Sequence, residues 1–102
     1  MVIFQIDHYV QPESIETYKT AVLEDASNSI HEKGILRFEV FQDQANSSHF
    51  TLLEVYRDLQ SREFHLQTQY LIKFRRQLKD QGMLIRSESR EVELFFPDEI
   101  KK

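Results

Sequence analysis

The stretch from Gly34 to Asp58 restricts the possible folds most. Gly34-Ile35-Leu36-Arg37-Phe38-Glu39-Val40-Phe41-Gln42-Asp43 and Phe50-Thr51-Leu52-Leu53-Glu54-Val55-Tyr56-Arg57-Asp58 both alternate bulky apolar residues with charged ones. A spacing of two is the period of a half-buried strand. Between the runs, Asp43 to His49 is rich in Asn, Ser, Asp and Gln, the chemistry of a turn. The stretch therefore predicts a β-hairpin. Pairing Asp43 with His49 puts Leu36, Phe38, Val40, Leu52, Glu54 and Tyr56 on one face. Arg37, Glu39, Phe41, Thr51, Leu53, Val55 and Arg57 take the other. Glu54 is then the one ionisable group on a largely apolar surface, where a carboxylate is costly unless paired or hydrogen-bonded. Two readings follow: a satisfied structural carboxylate (or a register shifted by one), or an acid lining a ligand pocket.

Val2 to Val10 alternates loosely and reads as the first strand. Pro12 suits the first turn of a helix, Glu13 and Glu16 complement its positive end, and Ile15, Tyr18, Val22, Ala26 and Ile30 form one apolar stripe. Lys33 and Gly34 mark a stop, so the helix is expected from Pro12 to about Glu32. After the hairpin, Asp58 can cap a helix from Leu59 to Leu66. Thr68 can cap another, with Tyr70, Leu71, Phe74 and Leu78 on one side and Gly82 at its close. Arg75, Arg76 and Lys79 sit toward the end of that helix, the wrong end of its dipole for an anion, and read as a solvated face. Met83 to Phe96, ended by Pro97, is the last strand, with a polar middle from Arg86 to Glu91.

This order is the split βαβ arrangement of ferredoxin-like α+β domains, a four-stranded antiparallel sheet with helices on one face. The chain is expected to form one domain over residues 1–97, with a short polar tail at 98–102. The uncovered face would carry Phe41, Leu53 and Val55, and a homodimer joined sheet to sheet is the simplest cover.

Composition narrows the function. A net charge of -4 and a pI near 5.5 favour neither nucleic acid nor an anionic membrane. The absence of cysteine removes thiol catalysis and zinc-thiolate sites. No apolar run approaches the ~18 residues of a membrane span, and Met1 leads into Val2-Ile3-Phe4 without a basic segment. A cytoplasmic protein is expected. There is no Gly-rich phosphate loop and no Gly-x-Ser-x-Gly. His8, His31, His49 and His65 come one per element, so no metal site is expected. His65 lies beside Phe64 and Leu66, five residues before Tyr70. It is either a packing residue that orients helix against sheet or a general base working near neutral pH.

Gly34-Ile35-Leu36-Arg37-Phe38-Glu39-Val40, Glu54-Val55-Tyr56-Arg57-Asp58 and His65-Leu66-Gln67-Thr68 together resemble the antibiotic biosynthesis monooxygenase (ABM) domain family. Its usual pattern is Gly-Asn-Leu-Arg-Phe, then Glu-x-Trp/Tyr-x-Asp, then Ala-His-x-x-Thr-Pro-His. The similarity covers nearly the whole chain. It implies a dimeric α+β barrel with a pocket between sheet and helices in each subunit. Members include cofactor-independent monooxygenases of quinol-like or polyketide aromatics, haem-degrading enzymes and an isomerase of phosphorylated autoinducer-2. In the oxygenases the substrate supplies the electrons, and its phenolate reacts with dioxygen.

The resemblance thus implies a monooxygenase of a small hydroxylated aromatic or quinol, with no cofactor. An isomerase of a small phosphorylated carbonyl compound, a non-catalytic ligand-binding dimer and a dimerisation domain are the alternatives. It implies catalytic roles for His65 and Glu54, and substrate contacts for Arg37, Phe38, Tyr70 and Asp25. His65 and Glu54 are expected to face one cavity, with Tyr70 at its rim. Ile35 stands where Asn is usual, Gln69-Tyr70 replaces Pro-His, and Asp25-Ala26 stand where isomerase-like members tend to have Asn and His. The lack of Trp tells against the haem-degrading branch.

Overall fold

The computed structural model describes residues 1–97; the expected tail, 98–102, lies outside the described residues. The chain runs β1 (Val2–Val10), a 3-10 turn (Pro12–Ser14), α1 (Ile15–Ser29), β2 (Ile35–Gln42), β3 (His49–Tyr56), α2 (Leu59–Leu66), α3 (Gln69–Asp80) and β4 (Leu84–Val92). The strands form one sheet in the order β2-β3-β1-β4, every neighbouring pair antiparallel. This is the ferredoxin-like α+β fold. Tyr18, Ala21 and Val22 from α1, with Leu71 and Phe74 from α3, pack onto Val10, Phe38, Phe50, Leu52 and Tyr56 of the sheet. No helix among the described residues is long and apolar enough to cross a membrane.

The hairpin closes where its polar break predicts. Asp43 N–H donates to the His49 carbonyl, and the Asp43 carboxylate accepts from Ala45 and Asn46 N–H, an Asx-type turn. Pairing then follows the expected register from Gln42↔Phe50 to Arg37↔Val55. One residue departs. Ile35, not Leu36, opposes Tyr56 across a bulge, so Ile35 is buried and Leu36 only half-buried. A bulge inserts an unpaired residue and shifts the alternation by one.

Both ends of the first helix fall inside the expected limits. Pro12–Ser14 makes a 3-10 turn, and the α-helix stops at Ser29. His31 and Glu32 N–H then bond the carbonyls of Asn28 and Ser29 in tight turns. Gly34 is therefore no helix cap. Its role is close approach: a Cβ there would lie 2.2 Å from Ser61 Oγ and 2.3 Å from Ser61 Cβ. Gly82, with φ of 56°, closes α3 in the left-handed region as expected. Asp58 caps α2 through Ser61 N–H at 2.8 Å, whereas Thr68 stands at the N-terminus of α3 but donates to the His65 carbonyl.

The last strand is shorter than Met83–Phe96. Its partner β1 begins at Val2, and the final pair is Ile3↔Val92, so later residues have no neighbour to pair with. On the open face, Val55 is already buried and Leu53 half-buried, while Phe41 is 51% exposed. Part of that face is knit by polar contacts. Asp7 takes hydrogen bonds from His49 (2.8 Å) and Thr51 (2.7 Å), and Tyr9 stacks on His49 under the Arg86 guanidinium.

The Gly34–Ser61 contact predicts a stability effect. Gly34→Ala should destabilise the protein by about 1–3 kcal/mol, the usual cost of overpacking. Urea unfolding would measure it. An unchanged midpoint would show that α2 yields without penalty.

Candidate functional site

Between the helix-covered sheet face and α2 and α3 lies a cavity of about 240 Å³. Ile6, Leu52, Leu66, Leu71, Phe74 and Leu84 supply apolar wall; His8, Asp25, Glu54 and His65 bring ionisable groups inside. Arg62, Arg75, Ser87 and Ser89 also line it.

Asp25 arrives on the buried stripe of α1, three positions after Val22 and four before Ser29. Ser29 Oγ donates to the Asp25 carbonyl at 2.7 Å. Burial pushes the Asp25 carboxyl up to about 7, with His65 opposing that rise and Glu54 adding to it. Glu54 is 7% exposed, and Tyr56 Oη donates to its Oε1 at 2.6 Å. Burial raises the Glu54 carboxyl above its ordinary range, while the Tyr56 hydrogen bond, His65 and the two arginines pull it down. His8 is hydrogen-bonded to Tyr18 Oη at 2.7 Å, and burial lowers its imidazole to about 4.

His65 closes the last turn of α2 at 1% exposure. Its Nδ1 lies 2.7 Å from Glu32 Oε2, and Tyr70 Oη donates to the same oxygen. A carboxylate only accepts, so Nδ1 carries a proton, and in the neutral imidazole Nε2 is the nitrogen that keeps its lone pair. Among the described residues, Nε2 is buried without a partner, as is Glu32 Oε1. The rings of Phe38 and Tyr56 lie 5.8 and 5.6 Å from the imidazole, centroid to centroid. The result is an imidazole oriented by a buried carboxylate in apolar surroundings, the geometry of a positioned base.

The structure brings His65, Glu54 and Asp25 to one cavity and sets Phe38 against the His65 ring. Tyr70 is not at the rim. It lines a separate outer groove of about 790 Å³ with Glu32, His31, Lys33, Arg57 and Phe64, because its hydroxyl reaches Glu32 on the far side of the imidazole. Arg37 also lies elsewhere. Strand alternation sets it opposite Val55 on the open face, where it pairs with Glu39 at 2.8 Å. The carboxylate bonded to His65 is Glu32, not Glu54.

Four contributors were missed. Glu32 sits in a turn whose path no periodicity reveals. His8 was one histidine of four on separate elements, yet it shares the cavity with His65. Arg62 is set three positions before His65 on α2. Arg75 is exposed, as the solvated-face reading expects, but it also stands beside Phe74 at the edge of the buried stripe and lines the cavity; that spacing was the available signal. Among the described residues no group of three or more His, Cys, Asp or Glu side chains could hold a metal ion.

The model of the antibiotic biosynthesis monooxygenase family matches residues 1–77. The chain belongs to this family. Solved ABM-like structures carry the same fold over nearly its full length. A candidate antibiotic biosynthesis monooxygenase from Nitrosomonas europaea is 21% identical, with 94% of this chain and 100% of that one covered and a TM-score of 0.88. Another from Bacteroides thetaiotaomicron is 22% identical (99% and 95% covered, TM-score 0.87), and one from Deinococcus radiodurans 20% (100% and 100%, TM-score 0.85). No curated protein matches the chain.

The buried groups of this ABM domain set opposing pH slopes. Asp25, raised to about 7, holds extra protons in the folded state and loses stability as pH rises from ~4 to 7. His8, lowered to about 4, is kept neutral in the folded state and loses stability as pH falls from ~6.5 to 4. Asp25→Asn removes the first slope. Its stability should rise with pH between 4 and 6.5 and exceed that of the parent at pH 8, by at most about 4 kcal/mol. Thermal unfolding across that range checks it; parallel curves for the two proteins would contradict the assignment.

Proposed function

We propose that this ABM domain is a cofactor-free monooxygenase of a small, single-ring phenol or quinol. The observation that carries the reading is His65: Nδ1 bonded to Glu32, Nε2 unpartnered on a residue that lines the cavity. A substrate hydroxyl supplies the missing partner. A volume of about 240 Å³ sits just below the usual range of ligand cavities, ~300–1,000 Å³, and suits one ring better than a fused polycycle.

Nε2 takes the phenol proton, and Glu32 stabilises the imidazolium that results. The electron-rich phenolate reduces dioxygen and forms a carbon–oxygen bond. His65 returns its proton to the peroxide, the O–O bond breaks and water leaves. For a quinol, quinol plus dioxygen gives hydroxyquinone plus water: the substrate loses four electrons and dioxygen gains them. Apolar walls keep bulk water from the intermediate.

The test is dioxygen uptake by purified protein with a panel of hydroquinones and monophenols, with elemental analysis of the same sample. Uptake should be stoichiometric with quinone formed and proceed without metal. His65→Ala should lower kcat at least ~100-fold. Glu32→Gln should lower kcat about tenfold or more with KM little changed, since it orients the base rather than holding substrate. No uptake with any of the panel, or full activity in His65→Ala, would remove this assignment.

A second copy of the chain is proposed to close the open sheet face. Phe41 at 51%, Phe95 at 97% and Phe96 at 82% exposure are large aromatic surfaces left to solvent, which favours a partner. Sedimentation at micromolar concentration should give twice the chain mass; a monomer there would contradict it.

A further inference from the structure

The cavity is not electrically uniform. Arg62 of α2 and Arg75 of α3 both line it, as do the hydroxyl-bearing Ser87 and Ser89 of β4, and the charge of each arginine acts on Glu54 inside. Neither arginine has an ion-pair partner among the described residues. Arg62 lies over the Phe4 ring at 3.9 Å, which leaves its donors uncommitted, and Arg75 is exposed at the protein surface. Among the described residues, by contrast, Arg37 is paired with Glu39, Lys73 with Glu24 and Lys19 with Glu16. Two unpaired arginines from different helices, converging with two hydroxyls on one cavity, make a receptor for an oxyanion.

Deeper in the cavity the carboxyls of Asp25 and Glu54 are both shifted by burial toward their neutral forms. They therefore repel an entering anion less than two ordinary carboxylates would. The polarity is graded, with cations and hydroxyls at the solvent side and an imidazole and protonatable acids inside.

We propose that the substrate is itself an anion, a small ring or carbonyl compound whose oxyanion sits between Arg62, Arg75, Ser87 and Ser89 while its reactive hydroxyl points to His65. The inference rests on the oxygenase reading for its ring but not for its charge. A carboxylate on a hydroxylated ring and a phosphate on a small carbonyl compound share the recognising chemistry.

The experiment measures binding under argon by nuclear magnetic resonance titration, so that turnover plays no part. The probes are 2,5-dihydroxybenzoate, its uncharged methyl ester and dihydroxyacetone phosphate. The acid, the phosphate or both should bind about tenfold or more tighter than the ester, the scale of a charge-assisted contact. Arg75→Gln, an exposed position, and Arg62→Gln should each remove most of that preference, weakening the acid and the phosphate far more than the ester. Raising salt should weaken the charged probes alone. Preference for the acid assigns a ring carboxylate and preference for the phosphate assigns a phosphoryl group. Equal binding of acid, phosphate and ester, or a preference that survives both substitutions, would overturn the proposal. Admitting air separates the two claims. Arginine-dependent binding without dioxygen uptake keeps the anion site and removes the oxygenase; uptake on neutral quinols without arginine dependence does the reverse.

Discussion

The arrangement depends on one buried carboxylate. Glu32 is carried on the turn after α1, and its Oε2 accepts both from His65 on α2 and from Tyr70 on α3. The turn after α1 and the two successive helices α2 and α3, more than thirty residues later in the chain, meet at that oxygen. A carboxylate whose side chain is only 7% exposed is tolerated because it is hydrogen-bonded, and removing a donor would leave a buried charge without compensation. The turn is in turn fastened to the hairpin. Arg57 N–H donates to the Gly34 carbonyl at 2.8 Å, the Arg57 guanidinium donates to the Lys33 carbonyl at 2.9 Å, and Gly34 lies close against Ser61. Backbone geometry at Gly34 thus sets where Glu32 stands, and Glu32 sets which nitrogen of His65 is free.

The elements were legible because each rests on local chemistry. The hairpin needed only a period of two and an Asx turn, and α3 needed an apolar stripe and a glycine at its end. From those strands and helices the ferredoxin-like order followed. The misreadings lie where position depends on the path between elements. Leu36 was assigned inward because strict alternation has no room for a bulge. Gly34 read as a helix stop because glycine suits both a cap and a close approach. Tyr70 follows its helix correctly, but its long side chain turns toward Glu32 and leaves the cavity. Arg37 took its place on the open face from the same register that put Glu54 inside. Its assignment as a substrate contact came from the family likeness, not from the strand.

Within the cavity, burial and charge act together. Apolar walls shift Asp25 and Glu54 toward their neutral forms and raise the cost of leaving His65 Nε2 unpaired. On the proposed reading, a ligand hydroxyl would relieve that cost at one end and the two arginines would offer a counter-charge at the other. The ABM fold supplies the frame, while the side chains that give this frame its polarity come from β1, α1, the turn after it, β3, α2, α3 and β4. Family membership therefore determines the architecture more closely than it determines the substrate.

The central claim is that Glu32 holds His65 with a bare Nε2 available as a base. Nitrogen-15 spectra of the His65 imidazole at pH 8 test it most directly, because protonated and bare ring nitrogens resonate far apart. The account predicts a protonated Nδ1 and an unprotonated Nε2 whose signal moves when a phenol is added. A proton on Nε2, or a signal indifferent to phenols, would contradict it.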